Sequence, residues 1–591
     1  MDDLRAGRGD PWEHDPGPPR NRSWARLFAS TPDYRGLGVA LARPGPDGEV
    51  RERFRWQFGP VFYRGRLGDN RVRVLVVGQD AGSDEALAHR AFVGESGSRV
   101  QHLLHHVGIT RSYLFLNTFV YSITGQFGGR LEDLALEPGS PIARHRNRIF
   151  DYVAARNDLR LVIAVGRAAR ESVLAWNRWR GGAGAPAAGE LHELDATALG
   201  PHVRVVDVMH PGAAAQGAKA EVTASFTAAA TRILGWVRDH PGWLPADVDG
   251  QRAAASSFRF ERAPIPLRDL PFGVPWRLGA GGTATTRRDE GRSIEIEPGA
   301  RQATEPDYPA EPPGGSRDGY DGDVDDLPWE PPRSAIEFDR GPSPAMARLL
   351  VGGSAGLAWP DFAALGVPGA AIYGGGALHR GRFTGVRVLV LADQASHDDL
   401  VWGRALTGEA GQRLQGMLAG LGIGRSYLIL RTLPVDTAGL PAGTVWALAD
   451  RPDVVGLLTT VIDRVLDDNQ VAVVVTMGPH AERVAARLDL DGQPVVALPR
   501  WSAPGARAEW VRAFGRLRSL GIPIDQPPTG PAWDGERAQI PRADLPFGVP
   551  CWQGTSGDRV VRAKRVTGGD PRPDPAYKVW VPAWVARLGP P

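Results

Sequence analysis

The sequence predicts an α/β protein with two tandem units, each a central, mostly parallel sheet between layers of helix. Three observations carry that prediction. Short β-branched runs alternate with segments of helical period, the pattern of strand–helix–strand crossovers. Polar side chains sit where three of those strands end. The pattern from Val72 to Gly97 then returns, without a gap, from Val386 to Gly411, 314 residues later.

Residues 1–50 read as an arm with a short lead-in, acidic and Pro-rich at its start and without the apolar run of a signal peptide. The next stretch interleaves Arg55, Arg64 and Arg66 with Phe54, Trp56, Phe58, Phe62 and Tyr63. That pattern suits a phosphate backbone with stacked bases, and equally a solvated edge over core aromatics. Val72 to Val77 is a buried strand ending at Gly78. Gln79, Asp80, Asp84 and Glu85 then form a polar turn at the carboxyl edge, where open α/β sheets bind ligands. FVGESG, from Phe92 to Gly97, opens a helix expected over 98–107. Strands follow at 113–116, 161–165 and 203–208, with helices across 142–155, 167–176 and 219–238. Their ends bring Asn117 and His210-Pro211-Gly212 to the same edge as Asp80. Singly, each group has an ordinary reading: Asp80 as an N-cap, Phe92 as core, Asn117 and His210-Pro211 as turn residues. Asp84 and Glu85 are rival acids. The convergence of an acid, an amide and an imidazole is what points to a site.

A chain of 591 residues exceeds a single core. Its 74 Gly and 51 Pro predict long irregular segments as well. The single cysteine, Cys551, excludes a disulfide framework and any multi-cysteine zinc or iron–sulfur site, so no metal and no cofactor are expected. It fits a reducing, cytoplasmic setting. No stretch has the length of a membrane span. The net charge of +2 does not by itself argue for nucleic acid. Lysine occurs only at Lys219, Lys564 and Lys578. Such an arginine bias suits phosphate recognition, but GC-rich coding produces it too. The expected organisation is an arm (1–50), a first unit (51–277), a disordered Gly/Pro/acid-rich linker (278–342), a second unit (343–525) and a Pro-rich basic tail (526–591).

The copies share a framework and differ where chemistry would lie. GITRSYLFL in the first matches GIGRSYLIL in the second, and ERAPIPLRDLPFGVP matches ERAQIPRADLPFGVP. Gly94 and Gly97 keep partners in Gly408 and Gly411. Gly78-Gln79-Asp80 becomes Ala392-Asp393-Gln394, Asn117 becomes Arg431, and Arg500 or Trp501 stands near the place of His210. The second copy therefore reads as inactive and retained for scaffolding or binding; Asp393 keeps a second active site with different chemistry open.

VLVVGQD, AFVGESG, the Asn-ending LFLN and the late MHPG together resemble the uracil-DNA glycosylase superfamily, over about residues 50–240 and more faintly over 370–520. The cluster cysteines of its iron–sulfur branch are absent. The resemblance implies a monofunctional DNA glycosylase that flips a nucleotide out of the duplex and hydrolyses its N-glycosidic bond, leaving an abasic site. It implies that Asp80 stabilises the oxocarbenium-like sugar and positions water, and that His210 stabilises the departing base. Phe92 would stack on that base, Asn117 would read its edge, and Gln79 would add backbone contacts. Gly82 stands where the classical branch walls off the pyrimidine C5 position, which admits uracil or a C5-modified pyrimidine. Pro211, Gly212 and Ala213, with Arg64 and Arg66, would touch DNA. Two alternatives stay open: a phage-defence glycosylase removing hypermodified cytosine, such as glucosylated hydroxymethylcytosine, and a non-catalytic DNA-binding protein. DNA is the expected partner in each; neither membrane nor oligomeric state is implied.

Overall fold

The computed structural model describes residues 13–34, 36–37, 54–184, 190–274, 294–297, 337–351, 358–362, 364–367, 378–394, 398–437, 440–550, 560–567 and 570–580. Most of the expected arm and linker, Cys551 and the last eleven residues lie outside these. Five strands build the first sheet: β1 (Arg64–Gly65), β2 (Val74–Gly78), β3 (Tyr113–Asn117), β4 (Leu161–Val165) and β5 (Arg204–Val208). Their order is β1-β3-β2-β4-β5, parallel throughout except for β1. Residues of β2 alternate between two cores. Val74 and Val76 pack beneath the helices Glu95–His106 and Lys219–Asp239, whereas Leu75 and Val77 face Phe150 and Trp176 of the helices Pro141–Arg156 and Arg167–Trp179. Burial on both faces is why these strands read as unbroken apolar runs. The register pairs Gly78 with Asn117 and Val165 with Val208, so the strand ends lie level along the carboxyl edge.

One short strand lies in the expected linker and two longer ones in the tail. The order continues with β6 (Ile294–Glu297), then β7 (His379–Gly381), β8 (Val388–Ala392), β9 (Tyr427–Arg431), β10 (Val473–Met477) and β11 (Val495–Leu498). The second sheet runs β7-β9-β8-β10-β11, the order of the first, with Ala392 opposite Arg431 as Gly78 is opposite Asn117. The basic tail is not a loose extension. Its β12 (Val560–Thr567) and β13 (Asp570–Trp580) pair antiparallel, and β13 takes β6 as a parallel neighbour. Val579 is buried in the first unit's core. The β6–β13 pairing joins segments hundreds of residues apart and so leaves no local periodicity, whereas β12 and β13 are neighbours in the chain.

Each repeated DLPFGVP segment is a clamp. Asp269 receives Arg64 at 2.8 Å and the Tyr113 hydroxyl at 2.6 Å, while Arg64 also donates to Gln101 at 2.8 Å. Arg380, Asp544, Tyr427 and Gln415 repeat this cluster in the second unit. The units then exchange contacts: Arg90 donates to the Phe547 carbonyl at 2.9 Å, and Arg404 to that of Phe272 at 2.6 Å. Asp15 and Asp339 hold the two arginines from matching loops, each at 2.6 Å. Arg64 is therefore not a DNA contact. It is fully buried, because an edge strand only two residues long turns its side chain inward onto the clamp.

Candidate active site

Asp80 leaves the end of β2 and is held from two sides. Its carboxylate accepts the Ile123 backbone N–H at 2.9 Å and the Gln79 side-chain amide at 3.0 Å. Burial nevertheless pushes its carboxyl up to about 6, against the lowering effect of those hydrogen bonds and with Glu85 adding to the rise. A carboxylate poised this way is ionised at neutral pH yet poorly solvated, so it interacts strongly with a nearby positive charge.

Glu85, which rivals Asp80 in the sequence, has a different task. One oxygen accepts from the N–H groups of Val93 and Gly94 at 2.8 and 2.9 Å, and the other from Gly82 at 2.9 Å. It ties the polar turn to the Phe92 loop. Asp84 is buried behind that loop. Phe92 itself has φ 55, a left-handed conformation that costs free energy in a bulky residue. Gly97 permits it: a Cβ there would lie 1.8 Å from the Phe92 carbonyl oxygen. This close approach is the reason for the second glycine of FVGESG.

Phe92 and Asn117 face one another across Gly78. A Cβ on Gly78 would come within 2.3 Å of the Phe92 ring and 2.6 Å of the Asn117 amide oxygen. Phe92 leans on Phe115, with centroids 5.1 Å apart. Asn117 is 8% exposed, and neither its amide oxygen nor its nitrogen has a partner. A buried carboxamide left with both functions open costs about 1–3 kcal/mol until a ligand meets it. It presents one donor and one acceptor side by side.

His210 follows β5 two strands away and opens a short 3-10 helix at Pro211. Gly166 lets it approach, since a Cβ there would sit 3.1 Å from that of His210. The ring is exposed at the rim but crowded from below, and this desolvation, opposed by Glu85, lowers its pKa from the ordinary imidazole value. Its Nδ1 accepts the Gly212 N–H at 3.1 Å, which leaves the proton of the neutral ring on Nε2, free to donate outward. Gly212 and Ala213 belong to the same rim turn, whereas Pro211 is buried. Gly82 is exposed, and a Cβ there would lie 3.0 Å from the Glu85 carboxylate, a tight contact, with no other atom near. Arg66 does not join this edge; it turns to the amino end of the sheet, 3.5 Å from Asp269. Sequence reasoning missed the Ile123 N–H and the bracing by Glu85, which no motif marks.

The second unit closes the same position. Gln394 takes the place of Asp80 and accepts the Thr437 N–H at 2.6 Å, as Asp80 accepts that of Ile123. Arg431, 2% exposed, fills the space of Asn117 and donates to Gln394 at 3.1 Å. Leu406 stands in the place of Phe92, with the same left-handed backbone. Asp393 is committed to Arg500 at 2.9 Å and to the Ala481 N–H at 2.8 Å. Gly78→Ala, which imports Ala392 into the first unit, is expected to reduce turnover at least about tenfold by pushing Phe92 and Asn117 apart, with protein yield unchanged. Steady-state kinetics of the variant check this.

Among the described residues, no helix is long and apolar enough to cross a membrane, and no group of His, Cys, Asp and Glu is arranged to hold a metal ion. One family model matches residues 66–233, described as Uracil DNA glycosylase superfamily. No curated protein matches the chain.

Proposed function

Since residues 66–233 belong to the uracil DNA glycosylase superfamily, we propose that the first unit is a monofunctional DNA glycosylase acting on a flipped pyrimidine. The observation that supports this most is the open Asn117 carboxamide, buried opposite the Phe92 ring and at the strand end beside that of Asp80. A planar heterocycle stacked on Phe92 would place its hydrogen-bonding edge against that amide. The N-glycosidic bond then breaks with positive charge on the sugar and negative charge on the base. Asp80 stabilises the first and orients the attacking water. Nε2–H of His210 stabilises the second, and a neutral imidazole suffices for it.

Water adds to C1′, its proton passes to solvent or to Asp80, and the base leaves with its electron pair. Substrates are uracil or a pyrimidine enlarged at C5, since Gly82 puts no side chain of its own against that position. The test is to incubate the full chain with DNAs carrying uracil, mismatched thymine or C5-modified cytosine and to identify released bases by mass spectrometry. Release of one pyrimidine with an abasic site left behind supports the reading; no release from any of them overturns it. Activity is expected to rise with pH through about 6 as Asp80 ionises, and to level off above.

A further inference from the structure

Where the amino ends of the two sheets meet lies a crevice of about 1660 Å³, on the opposite side of the first sheet from Asp80. Six residues of strand and turn separate Arg73 at its wall from Asp80, roughly 20 Å along the chain direction. In a chain of nearly balanced charge, its lining holds twelve arginines against five carboxylates. Both units supply equivalent side chains. Arg66 and Arg382 each follow an edge strand and donate their backbone N–H to Tyr113 and Tyr427, both at 3.0 Å. Arg111 and Arg425 stand at the starts of β3 and β9.

Some of these cations are neutralised, as Arg111 is by Asp249 at 2.8 Å and Arg425 by Glu337. Others, Arg20, Arg22, Arg71, Arg340 and Arg382, have no carboxylate within salt-bridge distance among the described residues. Arg340 lies over the Phe338 ring at 4.7 Å, and burial with the repulsion of Arg20 lowers its pKa below the ordinary guanidinium value. Glu337 lies within electrostatic reach of Arg22 and Arg382, and Asp15 of Arg340, but the excess of like charge gathered in the cleft still raises the local concentration of an anionic ligand. The volume exceeds the 300–1,000 Å³ typical of a small-molecule pocket. Phe338 and Phe383 line the same space, Phe338 packed between Arg340 and Phe547 and Phe383 against His379, so the walls combine aromatic rings with cations.

We propose that this crevice is a second nucleic-acid site that holds an unpaired phosphodiester strand. It does not depend on the chemistry at Asp80. The test uses fluorescein-labelled oligodeoxyadenylate of about fifteen nucleotides, which contains no pyrimidine for the first site, and follows anisotropy with the full chain. Wild type and Asp80→Asn are expected to bind alike. Arg22→Glu with Arg382→Glu is expected to weaken binding at least about tenfold and to reduce the salt slope by about 1.4; Arg22→Gln with Arg382→Gln gives a smaller loss in the same direction. Circular dichroism reports folding, and a photocrosslinking residue at Phe383 should capture the strand independently. Oligonucleotide binding that survives the charge reversal overturns the proposal. So does a crevice that pyrophosphate occupies but the strand does not, or one that prefers the paired duplex.

Discussion

Asp80→Asn is expected to reduce base release by at least about a thousandfold while making the protein more stable at alkaline pH. The loss follows from removing a poorly solvated negative charge from beside a developing cation, the kind of electrostatic contribution that costs 10²–10³ or more when deleted. The gain in stability follows from the same desolvation. The Asp80 carboxyl titrates at about 6 in the folded protein against 3.8 ordinarily. A raised carboxyl contributes stability that is fully present below about 4 and is lost as pH climbs through about 6, because the folded state must then hold an ion it solvates badly. Above that window the neutral amide removes the penalty, for a gain of about 1–2 kcal/mol after allowing for one weakened acceptor. Urea unfolding at pH 4 and pH 8 checks the sign: the variant should match wild type at the lower pH and exceed it at the higher. A variant that retains activity would remove Asp80 from the mechanism, and one less stable at pH 8 would show that its hydrogen bonds outweigh its desolvation.

The sheets were legible because their strands are covered on both faces, so that Val74–Val77 and Leu161–Val165 carry no polar interruption until they end. The same feature exposed Gln79-Asp80 and Asn117, the first polar groups after such runs. Phe92 was legible from the glycines around it, and Gly97 turns out to be fixed by a backbone carbonyl. What stayed hidden depends on long-range contacts. Glu85 and Asp84 are both acids one turn from Asp80, and only the folded loop shows that Glu85 spends its oxygens on three N–H groups. The exchange of Gln-Asp for Asp-Gln in the second unit reads as scrambling. In space it is a substitution of carboxamide for carboxylate at one position, with Arg431 filling the vacated room. The DLPFGVP repeat was visible as a repeat, but nothing near it in the chain names Arg64 or Arg404 as its partners.

Arg64→Leu is expected to destabilise the first unit by about 3–5 kcal/mol, the cost of stranding one member of a buried ion pair. Asp269 is wholly inaccessible and would keep only the Tyr113 hydroxyl and the longer contact to Arg66. The guanidinium also lies 3.9 Å over the Phe115 ring, which in turn supports Phe92, so the folded remainder should lose some activity through the stacking platform. Arg64→Leu with Asp269→Leu should cost less than the two single changes added together by more than about 1 kcal/mol, since removing both charges leaves none unpaired. Arg380→Leu should behave in the same way in the second unit, whose Gln415, Tyr427 and Asp544 reproduce the cluster. Chemical denaturation measures the energies, and DNA affinity below the transition separates this role from a phosphate contact: a phosphate contact would weaken binding and its salt dependence while leaving the unfolding midpoint in place. The clamp moves the midpoint and leaves the salt slope alone.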